Sequence, residues 1–190
     1  MLLNRAIAVL ILGGIAAFLL VNIRSCAQPP TGFEPYARGT LSRLTALESP
    51  PIQPQGSFTN ADGDTMELSD FRGAPMLLNV WATWCAPCVV ELPMLAEVAA
   101  TRDDMEVVTV AFDDPAKAAD FLAREGLELP TWVDTNYSLT ARLSTPEMSQ
   151  LGLPITVFYN PSGREVARVL GDVDWLAPEA TAFLDAFAAQ

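Results

Sequence analysis

The sequence predicts an α/β domain in which a central mixed β-sheet is flanked by helices, with a β-hairpin extension before it and an apolar N-terminal segment ahead of that. Three observations predict it. Two near-continuous apolar runs, Met76–Trp81 and Glu106–Phe112, have the length and composition of strands buried on both faces. Stretches with apolar residues at helical spacing follow each run, and that alternation builds a sheet with helices packed on it. Cys85-Ala-Pro-Cys88 stands at the junction between the first run and the helix after it.

From the N-terminus, Ala6–Ile23 is an apolar run of eighteen residues broken only by Asn22 and flanked by Arg5 and Arg24. At 1.5 Å per residue it spans about 27 Å, enough for a transmembrane helix. A cleaved signal peptide is the alternative, because Ser25-Cys26-Ala27 has the small-x-small form of a cleavage site. Arg24 and the length of the run favour an uncleaved anchor. Either way the mature domain is expected outside the cytoplasm, where disulfides persist. Gln28–Pro35 is proline-rich and reads as an extended tether. Leu41, Leu44 and Leu47 predict a short helix over Thr40–Leu47, and the prolines of Ser49–Gln55 read as a linker. Residues 1–27 are thus expected to form the membrane segment, 28–51 the tether and 52–190 the domain.

Within that domain, Asp62-Gly63 between Ser57–Thr59 and Met66–Leu68 predicts a hairpin. After the first buried strand, Val89–Ala100 is rich in helix formers, with Leu92, Leu95, Ala96 and Ala99 on one face and Pro93 as an expected kink. Pro115–Arg124 is a helix opened by proline, with Ala118, Phe121 and Leu122 inward. A short helix is predicted over Asn136–Leu143. Ile155–Tyr159 and Glu165–Leu170 form a second hairpin through Asn160-Pro-Ser-Gly163, and Pro178–Ala188 closes the chain as a helix facing inward through Ala180, Phe183, Leu184 and Phe187.

Eleven Lys and Arg against 23 Asp and Glu give a formal net charge of −12. Nucleic-acid binding is disfavoured, since phosphate backbones demand clustered cations. The acidic surface keeps the protein dispersed and is the wrong sign for an anionic lipid surface.

Cys85 and Cys88 carry the chemistry. A cysteine at a helix N-terminus meets unpaired N–H groups and the positive end of the dipole, and both favour its thiolate. A second cysteine one turn on can resolve a mixed disulfide. Zinc would need four ligands, and the chain has no histidine and only Cys26 besides. A purely structural disulfide across so short a loop would constrain little. The spacing beside a βαβ pattern therefore points to a redox dithiol. Glu91 falls three residues after Cys88 on its face of the helix, where it can take a proton from that thiol; the alternative is a helix acid favoured by the dipole alone.

The order of elements, with Trp84-Cys-Ala-Pro-Cys88 after the first long strand and Gly152-Leu-Pro154 before the later hairpin, resembles the thioredoxin fold. Leu68-Ser-Asp-Phe-Arg-Gly73, Leu78-Asn-Val-Trp-Ala-Thr-Trp-Cys-Ala-Pro-Cys88 with Glu91 and Pro93, Gly152-Leu-Pro-Ile-Thr156 and Gly171-Asp-Val-Asp-Trp175 are similar, more narrowly, to the membrane-anchored bacterial TlpA group, whose neighbours are ResA- and CcmG-type reductases. The likeness covers Ala37–Gln190. It implies that Cys85 attacks and Cys88 resolves, that Pro154 is a cis-proline beside the dithiol, and that the Leu153 backbone offers hydrogen bonds to a docked substrate strand. Trp84 is expected over the dithiol, shaping the docking surface, whereas Trp81 and Trp175 are expected in core or edge packing. Asn79 departs from cytoplasmic thioredoxin, which has aspartate there, and so shifts the proton chemistry to Glu91.

The resemblance further implies a periplasm-facing thiol:disulfide reductase of the bacterial inner membrane, working through its own dithiol without a cofactor. Its clients would be apocytochrome c or copper-handling proteins of cytochrome oxidase assembly, and a DsbD/CcdA-type membrane donor would re-reduce it. A Cu(I) carrier using the thiolates of Cys85 and Cys88 is the alternative. A peroxidase is disfavoured, because no Thr-X-X-Cys stands in the right place.

Overall fold

The computed structural model describes residues 32–190 except 61, 135–137 and 144–151. Ala6–Ile23 and Cys26 lie outside the described residues, and so does the start of the helix expected at Asn136. Among the described residues no helix is long and apolar enough to cross a membrane.

The described strands form one mixed sheet in the order β1-β8-β7-β4-β5-β6-β2-β3. In chain order they are β1 (Thr45–Ala46), β2 (Ser57–Thr59), β3 (Thr65–Glu67), β4 (Met76–Trp81), β5 (Glu106–Ala111), β6 (Thr131–Val133), β7 (Ile155–Tyr159) and β8 (Glu165–Leu170). The helices are α1 (Ala86–Thr101), α2 (Pro115–Glu125), α3 (Ser138–Leu143) and α4 (Pro178–Ala188). β4 lies at the centre, parallel to β5 and antiparallel to β7. All six of its residues are buried, which is why they read as an unbroken apolar run.

The two-residue period of β4 divides the core. Leu77 and Trp81 face one side, with Leu92, Leu95 and Val98 of α1, Ala118 and Leu122 of α2, and Phe183, Leu184 and Phe187 of α4. Met76, Leu78 and Val80 face the other, with Leu139 and Leu143 of α3 and with Phe58 and Met66 of the hairpin. Phe158 and Phe183 meet edge-to-face at 4.8 Å, and Phe33 packs on Phe183 at 5.2 Å.

Two expectations fail for physical reasons. No helix forms over Thr40–Leu47. A 3₁₀ turn at Gly39–Leu41 is followed by β1 instead, with Ser42 N–H donating to Gly39 O at 3.1 Å and Leu44 N–H to Leu41 O at 2.8 Å. A three-residue turn buries Leu41 and Leu44 as well as a helix would. Extended chain then satisfies the open edge of β8, pairing Thr45 with Arg168 and Ala46 with Ala167. Within the stretch expected as tether, Phe33, Leu41 and Leu44 pack into the core. The second failure is an omission. β6 has three residues, too short to show alternation, yet it joins the N-terminal hairpin to the sheet by pairing with β5 and, through Val133, with Thr59.

Candidate active site

Cys85 ends the turn after β4 and is the N-cap of α1. Its Sγ accepts the Cys88 N–H at 3.3 Å, taking the place of the side-chain oxygen that usually caps a helix. Pro87 fits inside the first turn, where no helical partner awaits its missing N–H. Cys85 and Cys88 are joined as a disulfide, Cys85 being 6% and Cys88 0% exposed. The outer sulfur therefore belongs to the residue that faces the helix N-terminus. In the reduced protein the same N–H and the dipole stabilise a Cys85 thiolate. The helix continues through Pro93, which is exposed and removes only the bond to the Val89 carbonyl.

Trp84 is 66% exposed and leans edge-to-face on Phe112 at 6.2 Å. Its loop is pinned from below by Asp113, which accepts from Thr83 N–H at 3.1 Å and from the Thr83 hydroxyl. Burial alone would raise the Asp113 pKa, but the donors at Thr83 and Asp114 and the charge of Lys117 outweigh it, and the carboxyl titrates below its ordinary range. A groove of about 550 Å³ lined by Thr83, Lys117, Asp120, Ala123 and Arg124 lies beside this loop but does not reach the cysteines. Of the two cysteines it is Cys85, next in the chain to the exposed Trp84, that keeps some exposure.

The Leu153–Pro154 bond is cis, as the resemblance implied. Pro154 is buried and Leu153 half-buried, and Gly171 N–H donates to the Pro154 carbonyl at 2.8 Å. Thr156, two residues on, points into the core.

Glu91 is 0% exposed. Its Oε1 accepts from Asn79 Nδ2 at 2.7 Å, and its Oε2 from Val173 N–H at 3.0 Å and from Trp175 Nε1 at 3.2 Å. Desolvation pushes its pKa up from 4.5 to about 7, against the pull of those three donors and with a small push from Asp172. Helix geometry sets Glu91 one turn from Cys88 on the same face. A carboxyl poised near neutrality beside a buried thiol can exchange protons with it.

Trp175 packs in the core as expected and does more besides. It is buried against Phe158 at 6.1 Å, yet its indole N–H is also a ligand of Glu91. Nothing local in the sequence signals this, because 84 residues separate the partners. The contributions of Thr156 and of the Val173 backbone were equally invisible. Among the described residues no cluster of His, Cys, Asp and Glu is arranged to hold a metal.

The sequence pattern of the AhpC/TSA family matches residues 51–167, more than half of the chain. Over 174 residues the chain is 26% identical to the thiol-disulfide oxidoreductase ResA of Bacillus cereus, spanning 90% of this chain and 88% of that protein. ResA of Bacillus subtilis is 31% identical over 121 residues, 62% of this chain and 65% of that one. Among solved structures, a secreted thiol-disulfide isomerase of Corynebacterium glutamicum superposes with a TM-score of 0.65 at 21% identity, covering 86% of this chain and 97% of that one. A secreted Mycobacterium tuberculosis disulfide oxidoreductase homologous to E. coli DsbE gives 0.55 at 24% identity, covering 71% and 95%. The shared architecture is the thioredoxin-like fold, with a central mixed sheet and flanking helices. The chain belongs to the AhpC/TSA family, among thiol-disulfide oxidoreductases of the ResA kind.

Proposed function

We propose that this protein reduces disulfides of client proteins outside the cytoplasm, held at the inner membrane by Ala6–Ile23 with its catalytic domain in the periplasm. One observation carries the reading. Cys85 caps α1 at its exposed start while buried Cys88 shares a helix face with a carboxyl that titrates near neutrality.

The Cys85 thiolate attacks one sulfur of the client disulfide, forming a mixed disulfide and releasing the other client sulfur as a thiolate. Cys88 gives its proton to the Glu91 carboxylate. The Cys88 thiolate then attacks Cys85 Sγ, forming the Cys85–Cys88 disulfide and releasing the second client sulfur. Two electrons pass to the client, whose thiolates take up protons. Trp84 and the backbone at Leu153, beside Pro154, border the docking surface. Glu91 as an anion opposes thiolate formation nearby, and a less acidic dithiol makes a stronger reductant. Apocytochrome c and copper-handling assembly proteins are the client classes that fit, with a DsbD/CcdA-type membrane protein as electron donor.

Cys88→Ala in the full-length chain should accumulate a mixed disulfide through Cys85. On non-reducing electrophoresis it should run as a new band that disappears on reduction and is missing when Cys85 is also replaced. No trapped species would refute the mechanism. Mass spectrometry of the band identifies the client.

A further inference from the structure

Glu91 sits in a buried polar chain that joins three parts of the domain. Asn79 on β4, Thr156 on β7 and Glu91 on α1 are all fully buried, and Trp175 follows β8. Asn79 Nδ2 uses both of its hydrogens, one toward Glu91 Oε1 at 2.7 Å and one toward Thr156 Oγ1 at 2.9 Å. Its Oδ1 is buried with no hydrogen-bond partner among the described residues. On the other side, Val173 N–H and Trp175 Nε1 both donate to Oε2.

All of these neighbours are donors. The arrangement suits a carboxylate and gives a carboxylic acid nothing to donate to, and an unpaired buried hydroxyl is costly. The unused acceptor at hand is the other end of the same amide. Turning the Asn79 amide by 180° exchanges Nδ2 and Oδ1. Oδ1 can then accept from a protonated Glu91 Oε1, and also from the Thr156 hydroxyl, which donates as readily as it accepts. Both bonds survive with their direction reversed, while the Nδ2 hydrogens move to the place where Oδ1 now lies without a partner among the described residues. The inversion thus exchanges one unpaired hydroxyl at Glu91 for unpaired amide hydrogens at Asn79. Aspartate at position 79 could not donate to the anion, and an apolar residue could do neither.

We propose that Asn79 is a positioning residue that serves Glu91 in both protonation states by inverting the chain Thr156–Asn79–Glu91, while Val173 and Trp175 hold Oε2 so that the proton is taken on Oε1. The proposal rests on the reading that Glu91 receives the Cys88 proton and extends it to the residues that make both states of Glu91 tolerable. The charge that acts on Glu91 is that of Asp172 in the loop after β8, and Cys88, ionisable once the disulfide is reduced, stands one turn earlier on α1. β4 and β7 present the uncharged Asn79 and Thr156, and no cation is bonded to Glu91 among the described residues.

The test is an NMR titration of the oxidised full-length chain, ¹⁵N-labelled in asparagine side chains and ¹³C-labelled in glutamate carboxyls, from pH 5 to 9. The Asn79 side-chain amide should move with the same midpoint as the Glu91 carboxyl and should stop moving in Glu91→Gln. Trp175→Phe keeps the ring but removes one donor to the anion, so the Glu91 midpoint should rise by about one pH unit. An Asn79 amide that stays still while Glu91 titrates overturns the inversion. An unmoved midpoint in Trp175→Phe overturns the role given to Trp175. Failure of the underlying reading shows elsewhere: the pH profile of Cys88 alkylation in reduced protein would then be the same in wild type and Glu91→Gln, whatever the amide does.

Discussion

Replacing Glu91 by glutamine should change how stability depends on pH, and the size of the change follows from the burial of one carboxyl. Burial holds the Glu91 proton in the folded protein up to about pH 7, whereas the unfolded chain releases it near the ordinary carboxyl value of 4.5. Between those values the folded state binds one more proton than the unfolded state. Stability conferred by this group is therefore fully present below pH 4.5 and is lost as the pH rises through 7. At about 1.4 kcal/mol per pH unit, the window of roughly 2.5 units amounts to about 3 kcal/mol. That is a large share of the 5–15 kcal/mol typical of a whole domain. Glutamine keeps the shape and carries no proton to release. Urea unfolding of the oxidised wild type and Glu91→Gln, compared at intervals from pH 4 to 8.5, cancels the other ionisable groups. The wild type should lose about 3 kcal/mol relative to the variant across that range, with the steepest fall between pH 5 and 7. A difference that stays flat would refute the reasoning, because it would mean that Glu91 titrates alike folded and unfolded.

Further expectations concern the surface, the core and the redox balance. Trp84→Ala removes an exposed ring and should alter stability by less than about 0.5 kcal/mol while raising KM for a protein disulfide several-fold; an unchanged KM in a client-reduction assay would remove Trp84 from the docking surface. Phe183→Ala empties the centre of the aromatic cluster of Phe33, Phe158 and Phe187, and should cost about 3–5 kcal/mol by urea unfolding. Equilibration of the dithiol with glutathione should give a potential of roughly −200 to −270 mV, in the range of glutaredoxins and thioredoxin, whereas roughly −120 mV would mark an oxidant and overturn the reductase reading.

What the sequence determined by itself lies in features whose cause is local. The apolar runs that became β4 and β5 declare burial on both faces, and Asp62-Gly63 and Asn160–Gly163 declare their turns through residues that accept unusual backbone angles. Cys85-Ala-Pro-Cys88 declares a dithiol at a helix start, since one turn of helix separates its sulfurs wherever the helix lies. Glu91 was legible for the same reason, being one further turn along. Tertiary structure alone decided what that carboxyl touches. Trp175, read from sequence as packing, donates to Glu91 because the loop after β8 returns over α1, a contact between residues 84 apart that no periodicity records. The segment Thr40–Leu47 became a 3₁₀ turn and an edge strand because β8 offered unpaired backbone groups, and β6 was too short to be seen before β5 and β2 took it up. Spacing along the chain places the sulfurs, but the pKa of the acid beside them depends on burial and on donors from distant strands and loops, which exist only once the sheet has formed.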